Sequence, residues 1–167
     1  MARQRLLPIL IIILSSGCDV SDRPLADATD LFERAVGLFE EKSYQQAESL
    51  FVQALPTFEQ MEQTYTVAEV NKYLGEIYFA EGRLYSALGK FTVAQDQARR
   101  ANDFRKEMML HRLVGDAYAA LGSYQDALMS YAAAHKLSAA FNDGDTKAGL
   151  EMSMGKVSFF AEKLDDA

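Results

Sequence analysis

The chain has 167 residues, 49% of them hydrophobic, with 17 lysines and arginines against 24 aspartates and glutamates, so its formal net charge at pH 7 is −7. That length suits one domain with one core, and the acidic balance excludes attraction to nucleic acid or to anionic lipid head groups. A single cysteine excludes an internal disulfide, and two histidines 24 residues apart exclude the short His-x-x-x-His spacing of many metal sites.

At the N-terminus, Arg3 and Arg5 precede an apolar run from Leu6 to Leu14, which leads into Ser15-Ser16-Gly17-Cys18. Basic, then apolar, then small is the order of a signal peptide. The apolar run is about half the roughly 20 residues that a bilayer-spanning helix needs, so a permanent transmembrane helix is disfavoured. Leu14-Ser15-Ser16-Gly17-Cys18 resembles the bacterial lipobox, with one departure: the leucine usually found three before the cysteine is replaced by Ser15, and Leu14 stands one step earlier. The resemblance implies that residues 1–17 are a lipoprotein signal peptide, cut before Cys18, and that the Cys18 sulfur takes a diacylglyceryl group. A thioether-linked diacyl group and an amide-linked chain such as palmitate suffice for stable anchoring, since each buried methylene contributes about 0.8 kcal/mol. The expected location is the bacterial cell membrane, facing the periplasm. Asp19 resembles the signal that retains lipoproteins at the inner membrane, and so tilts the expectation that way. Cleavage would remove two basic residues and no acidic one, taking the net charge from −7 to −9. Residues 18–28 combine Cys18 with a polar stretch around Pro24 and read as a tether of at most about 35 Å.

From residue 28 onward the chain repeats with a period of 40. Cut at residues 28, 68, 108 and 148, it aligns small residues at Ala35, Gly75, Gly115 and Gly155, alanines at Ala47, Ala87, Ala127 and Ala167, aromatics at Phe51, Phe91 and Tyr131, and further alanines at Ala54, Ala94 and Ala134. Small, large and small at steps of four and three mark one face of a helix, and the first column marks close approach of two helices. A polar break follows the first helix of each unit at Glu41-Lys42-Ser43, Glu81-Gly82-Arg83 and Leu121-Gly122-Ser123, where glycine can take the left-handed conformation that ends a helix. Each unit is therefore helix, turn, helix. In the second helix of unit one, Pro56 stands where its counterparts are Asp96 and Lys136, which predicts a kink or an end. The segment Thr57 to Thr64 then swings outward as a self-association or partner edge, or else packs on the neighbouring hairpin. Asp143-Gly144-Asp145 reads as a helix-joining turn with an N-cap, too short for a calcium loop.

Leu74-Gly75-x-x-Tyr78 with Gly82, Ala87, Phe91 and Ala94 resembles the tetratricopeptide repeat (TPR), and unit three is similar through Gly115, Tyr118, Gly122, Tyr124, Ala127, Tyr131 and Ala134. The usual period is about 34 residues, so six more imply longer helices. The resemblance implies an all-α, right-handed TPR-like solenoid over residues 29–167: three hairpins, at about 28–67, 68–107 and 108–147, and a partial unit at 148–167. That last unit is expected to be one capping helix, about 146–163, covering the last apolar face.

The first helix of each hairpin lines the concave face of TPR solenoids. By register the resemblance implies a partner groove of Phe32, Val36 and Phe39, then Lys72, Tyr73, Glu76 and Phe79, then Met109, Arg112, Leu113 and Asp116, and finally Met152, Lys156 and Phe159. Lys72/Glu76 and Arg112/Asp116 stand four apart and can neutralise each other for about 0.2–0.5 kcal/mol, and Phe39 and Phe79 can equally finish the packing between hairpins. The lysine-rich clamp with which TPR domains hold chaperone tails is absent, because its positions carry Phe32, Val36, Tyr73, Met109 and Leu113. No catalytic, metal or cofactor constellation is present; His111 and His135 read as structural or solvated. The expected function is a membrane-anchored scaffold or adaptor for an envelope protein or peptide segment. The alternative is a fixed accessory subunit of a membrane enzyme, pilus or secretion complex.

Overall fold

A computed structural model of the protein describes residues 23–141 and 143–165. Residues 1–17, expected to be a signal peptide, and Cys18, Asp19 and the column member Ala167 lie outside the described residues. Among the described residues seven helices run in order: α1 (Arg23–Glu40), α2 (Tyr44–Gln60), α3 (Thr64–Ala80), α4 (Leu84–Arg100), α5 (Phe104–Ala120), α6 (Tyr124–Phe141) and α7 (Gly144–Asp165). No strand occurs among the described residues. None of these helices is long and apolar enough to cross a membrane. The helices α1/α2, α3/α4 and α5/α6 form three hairpins, each packed on the next, and α7 closes the stack against α6.

The column residues are the core. Ala47, Ala87 and Ala127, and likewise Ala54, Ala94 and Ala134, are fully buried, with Phe51, Phe91 and Tyr131 between them. A Cβ added at Gly75 would sit 2.5 Å from the Phe91 ring, and one at Gly115 would sit 2.6 Å from the Tyr131 ring. In the second and third hairpins the aromatic of the second helix thus lies directly on the glycine of the first. Gly155 departs from the expected close approach: nothing lies within 4 Å of a Cβ built there. Among the described residues α7 has no second helix following it, so the position is exposed.

The six connections between the described helices share one backbone hydrogen bond. In each, a backbone N–H reaches back five residues to a helix carbonyl: Ser43 to Leu38, Gln63 to Phe58, Arg83 to Tyr78, Asp103 to Ala98, Ser123 to Tyr118 and Asp143 to Ser138. In the first five connections a left-handed residue precedes the donor. Gly82 and Gly122 supply it at φ 74° and 76°, and Lys42, Glu62 and Asn102 adopt it without being glycine. Asp103 and Asp143 then cap α5 and α7 by accepting from the backbone N–H of Lys106 and Thr146.

Two expectations need correction. Residues 23–28 are helix rather than tether, because Pro24 falls in the first turn, where its missing N–H has no helical partner to lose, and Ala28 is buried. Pro56 does not end α2, which continues to Gln60. Both Pro56 and Val52, whose carbonyl loses its helical donor, face solvent, so water can take the free acceptor. Thr57 to Gln60 therefore does not swing outward, and Phe58 is buried edge-on against Phe32, with ring centroids 6.1 Å apart.

Candidate functional site

The odd-numbered helices present one face side by side. On it, positions recur at steps of one, four and seven residues: Phe32, Lys72, Arg112 and Met152; then Tyr73, Leu113 and Ser153; then Val36, Glu76, Asp116 and Lys156; then Phe39, Phe79, Ala119 and Phe159. What fills these columns decides where the face is closed and where it is open.

Between α1 and α3 it is closed. Tyr73 stacks on Phe51 with centroids 5.2 Å apart and planes 8° from parallel, and Phe39 meets the same tyrosine edge-on at 5.0 Å. Phe32 adds a third contact to Tyr73 at 6.2 Å. Phe32, Val36 and Tyr73, expected in the groove, thus pack against the core of the first two hairpins.

Between α3 and α5 a cavity of about 200 Å³ opens, lined by Phe39, Glu76, Phe79, Phe91, Leu113 and Asp116. A larger one of about 460 Å³ follows between α5 and α7, sharing Phe79 and Asp116 with the first. Small Ala119 and Ser153 leave its space; Tyr124, Tyr131, Val157 and Phe160 give apolar walls, and Lys156 stands at the rim. Met109, Met152 and Arg112 line neither cavity, and neither does Phe159, which is largely exposed. The register instead turns Ser153, Val157 and Phe160 of α7 toward the opening, with Phe160 stacked on Tyr124 at 6.3 Å. Tyr124, Tyr131, Val157 and Phe160 were missed by a reading confined to one face of first helices. Tyr131 alone had a signal, its place in the aromatic column.

Lys72 does not pair with Glu76 as the spacing predicts. Its Nζ lies 3.1 Å from Glu69 Oε2 and 3.9 Å above the Tyr73 ring. Glu69 also takes buried Lys106, whose Nζ lies 2.7 Å from Oε1 and 3.2 Å over the Tyr65 ring. Burial alone would raise the Glu69 carboxyl; the two ammonium groups outweigh it and hold its pKa below the usual range. For Lys72, burial is likewise outweighed by Glu69 and Glu76, and its pKa rises.

Glu76 is left half-buried with no ion-pair partner within 4 Å among the described residues. Burial pushes its pKa up, and Lys72 offsets only part of this. Asp116 is held twice: Arg112 Nη1 donates to Oδ2 at 3.1 Å, and the Tyr131 hydroxyl donates to Oδ1 at 2.7 Å. Burial, with that hydrogen bond, drives the Tyr131 pKa far above the ordinary phenol value.

Both histidines are engaged in packing contacts. Gln95 Nε2 lies 2.8 Å from His111 Nδ1, and burial lowers the His111 pKa. His135 Nε2 lies 3.1 Å from Glu151 on α7. Asn71, in the same column as His111, is buried, donating to the Val67 carbonyl and accepting from Lys90.

This fold is a TPR-like helical repeat. It is similar to the first TPR of Spaghetti (RPAP3) bound to the HSP90 peptide SRMEEVD, with a TM-score of 0.61 and 14% identity over 84% of this chain and 94% of that one. It is also similar to the Rap conjugation gene regulator of the plasmid pLS20 in complex with a Phr peptide, with a TM-score of 0.72 and 18% identity. That match covers 98% of this chain and 45% of the regulator, so the chain spans less than half of that protein's length. No protein-family model matches the chain, and no curated protein matches it in sequence.

Proposed function

We propose that this protein is a membrane-anchored scaffold of the bacterial envelope, which holds an extended segment of a partner protein along α3, α5 and α7. The observation that carries the binding part is the pair of adjoining cavities, largely apolar in their walls, with the charged groups Glu76, Asp116 and Lys156 among their lining residues. Such a lining orients a ligand and gives it apolar area to bury. Both solved structures named above hold peptides, which supports the reading at the level of fold. The anchoring part rests on the lipobox-like Leu14 to Cys18.

Photo-cross-linking in intact bacteria tests both parts. A photoreactive residue in place of Phe79, in the opening, is expected to trap a partner that one in place of Tyr85, highly exposed on α4, does not. Ser153→Tyr, which restores the bulk that Tyr73 gives the closed interval, should abolish the adduct. Equal trapping from both positions, or an adduct indifferent to Ser153→Tyr, would refute the groove. Cys18→Ala should release the protein from the membrane fraction, and unchanged fractionation would refute the anchor.

A further inference from the structure

The smaller cavity is unusual in its charges. Of its six lining residues two are carboxylates and none is a cation, while four are apolar: Phe39, Phe79, Phe91 and Leu113. The nearest cations are engaged elsewhere. Lys72 lies on Glu69, and Arg112 lies on the Oδ2 oxygen of Asp116. Glu76 is left with its charge half-buried against rings and without a partner within 4 Å among the described residues.

Each ligand class meets this pocket differently. An aliphatic side chain would complete the burial of an unpaired carboxylate, which is costly. An acidic one would add like charge. A lysine or arginine meets every requirement: its methylene stem lies along the apolar walls, its head reaches Glu76 and the rim of Asp116, and the exposed ring of Phe79 offers its face to the cation. The chain's net charge of −7 draws basic segments toward it.

We infer that the pocket between α3 and α5 reads a basic side chain of the bound partner segment, with an apolar residue of the same segment seated in the adjoining cavity between α5 and α7. The two cavities share Phe79 and Asp116, so neighbouring anchors of one extended segment reach both. In an extended strand, residues two apart point to the same side about 7 Å from each other, which sets the spacing as basic, any, apolar, in either direction. This inference rests on the groove reading above and narrows it to one chemical class, a basic–apolar segment of a protein.

The test uses the full chain in detergent micelles and four fluorescent nine-residue peptide pools. Each pool has phenylalanine two positions before and two positions after a central arginine, lysine, leucine or glutamate, and random residues elsewhere. Anisotropy should show the arginine and lysine pools binding at least about 10-fold more tightly than the other two. Glu76→Gln, of the same shape, should remove most of that preference, and Glu76→Lys should turn it toward the glutamate pool. Four equal affinities would overturn the inference and leave the groove standing, as would a preference for arginine untouched by both variants. Failure of every pool to bind would overturn groove and inference together. If a variant loses its helical circular dichroism, the preference of the unaltered protein among the four pools still decides.

Discussion

Around Tyr73 the wall between the first two hairpins is closed by stacked rings, whereas around Ser153, two periods further on, the same place in the wall stands open. The backbone plan repeats along the stack: matching turn closures and, in all three hairpins, buried column alanines on either side of a buried aromatic. The difference lies in two columns. Phe39 with Tyr73 fills the first interval, Phe79 with Leu113 leaves about 200 Å³ in the second, and Ala119 with Ser153 leaves about 460 Å³ in the third. In this solenoid the repeat sets where a cavity can be, and side-chain volume at two positions sets whether one exists.

The largest test of that contrast compares rings at its two ends. Phe51→Ala, at a fully buried position beneath Tyr73, should cost about 3–5 kcal/mol, while Phe160→Ala, at a half-exposed ring beside the open cavity, should cost about 1 kcal/mol or less. Urea unfolding followed by far-ultraviolet circular dichroism measures both. Equal losses would mean that the C-terminal end is packed as tightly as the first two hairpins.

A smaller effect, but of opposite sign at two aligned positions, comes from the glycine column. Gly75→Ala pushes a methyl into the Phe91 ring, and about 1–3 kcal/mol of overpacking outweighs the roughly 0.8–1.0 kcal/mol by which alanine favours a helix. Gly155→Ala meets no neighbour and should stabilise by about 0.8–1.0 kcal/mol. A stabilised Gly75→Ala would show that no ring sits on that glycine.

The smallest effect separates two carboxylates of α3, one in the closed region and one at the opening. The folded pKa of Glu69 is depressed, so its contribution is present above the ordinary carboxylate range and is lost as the pH falls through that depressed pKa. The folded pKa of Glu76 is raised, so its contribution is full below the ordinary range and is lost as the pH rises through the raised value. Glu69→Gln should therefore be less stable than the parent at neutral pH, Glu76→Gln slightly more stable, and both differences should shrink in acid. A pH-independent difference for either variant would remove the charge argument at that position.

The columns of alanine, aromatic and glycine made the hairpins, their turns and their core legible in the sequence, because each is a local pattern at helical spacing. Less local features were misread. Pro56 looked like a break, yet it lies on a solvent-facing stripe, and sequence alone does not say that the burial of Phe58 holds the helix together beyond it. Pro24 looked like tether, and only a helix start before Ala28 makes it a first-turn proline. Of the proposed groove residues, Glu76, Phe79, Leu113, Asp116 and Lys156 line the openings together with Phe39, while Phe32 and Tyr73 close the wall. The register placed all of these on one face. It could not say how neighbouring rings divide the space, because that depends on stacking between hairpins and on α7 turning Phe160 rather than Phe159 toward Tyr124.

Every connection closes within its own six residues, and the packing runs mainly from each helix to the next. Nothing in such a chain counts its own length. One more 40-residue unit spliced in at a left-handed turn residue would bring its own glycine seat and its own aromatic. Successive layers of helices lie about 8–10 Å apart, so the face built by the odd-numbered helices would gain about that much reach per layer without disturbing the core already present. The number of units thus sets how long a segment the proposed groove could hold, and the bulk carried in the Tyr73 and Phe39 columns sets which of its side chains would be admitted.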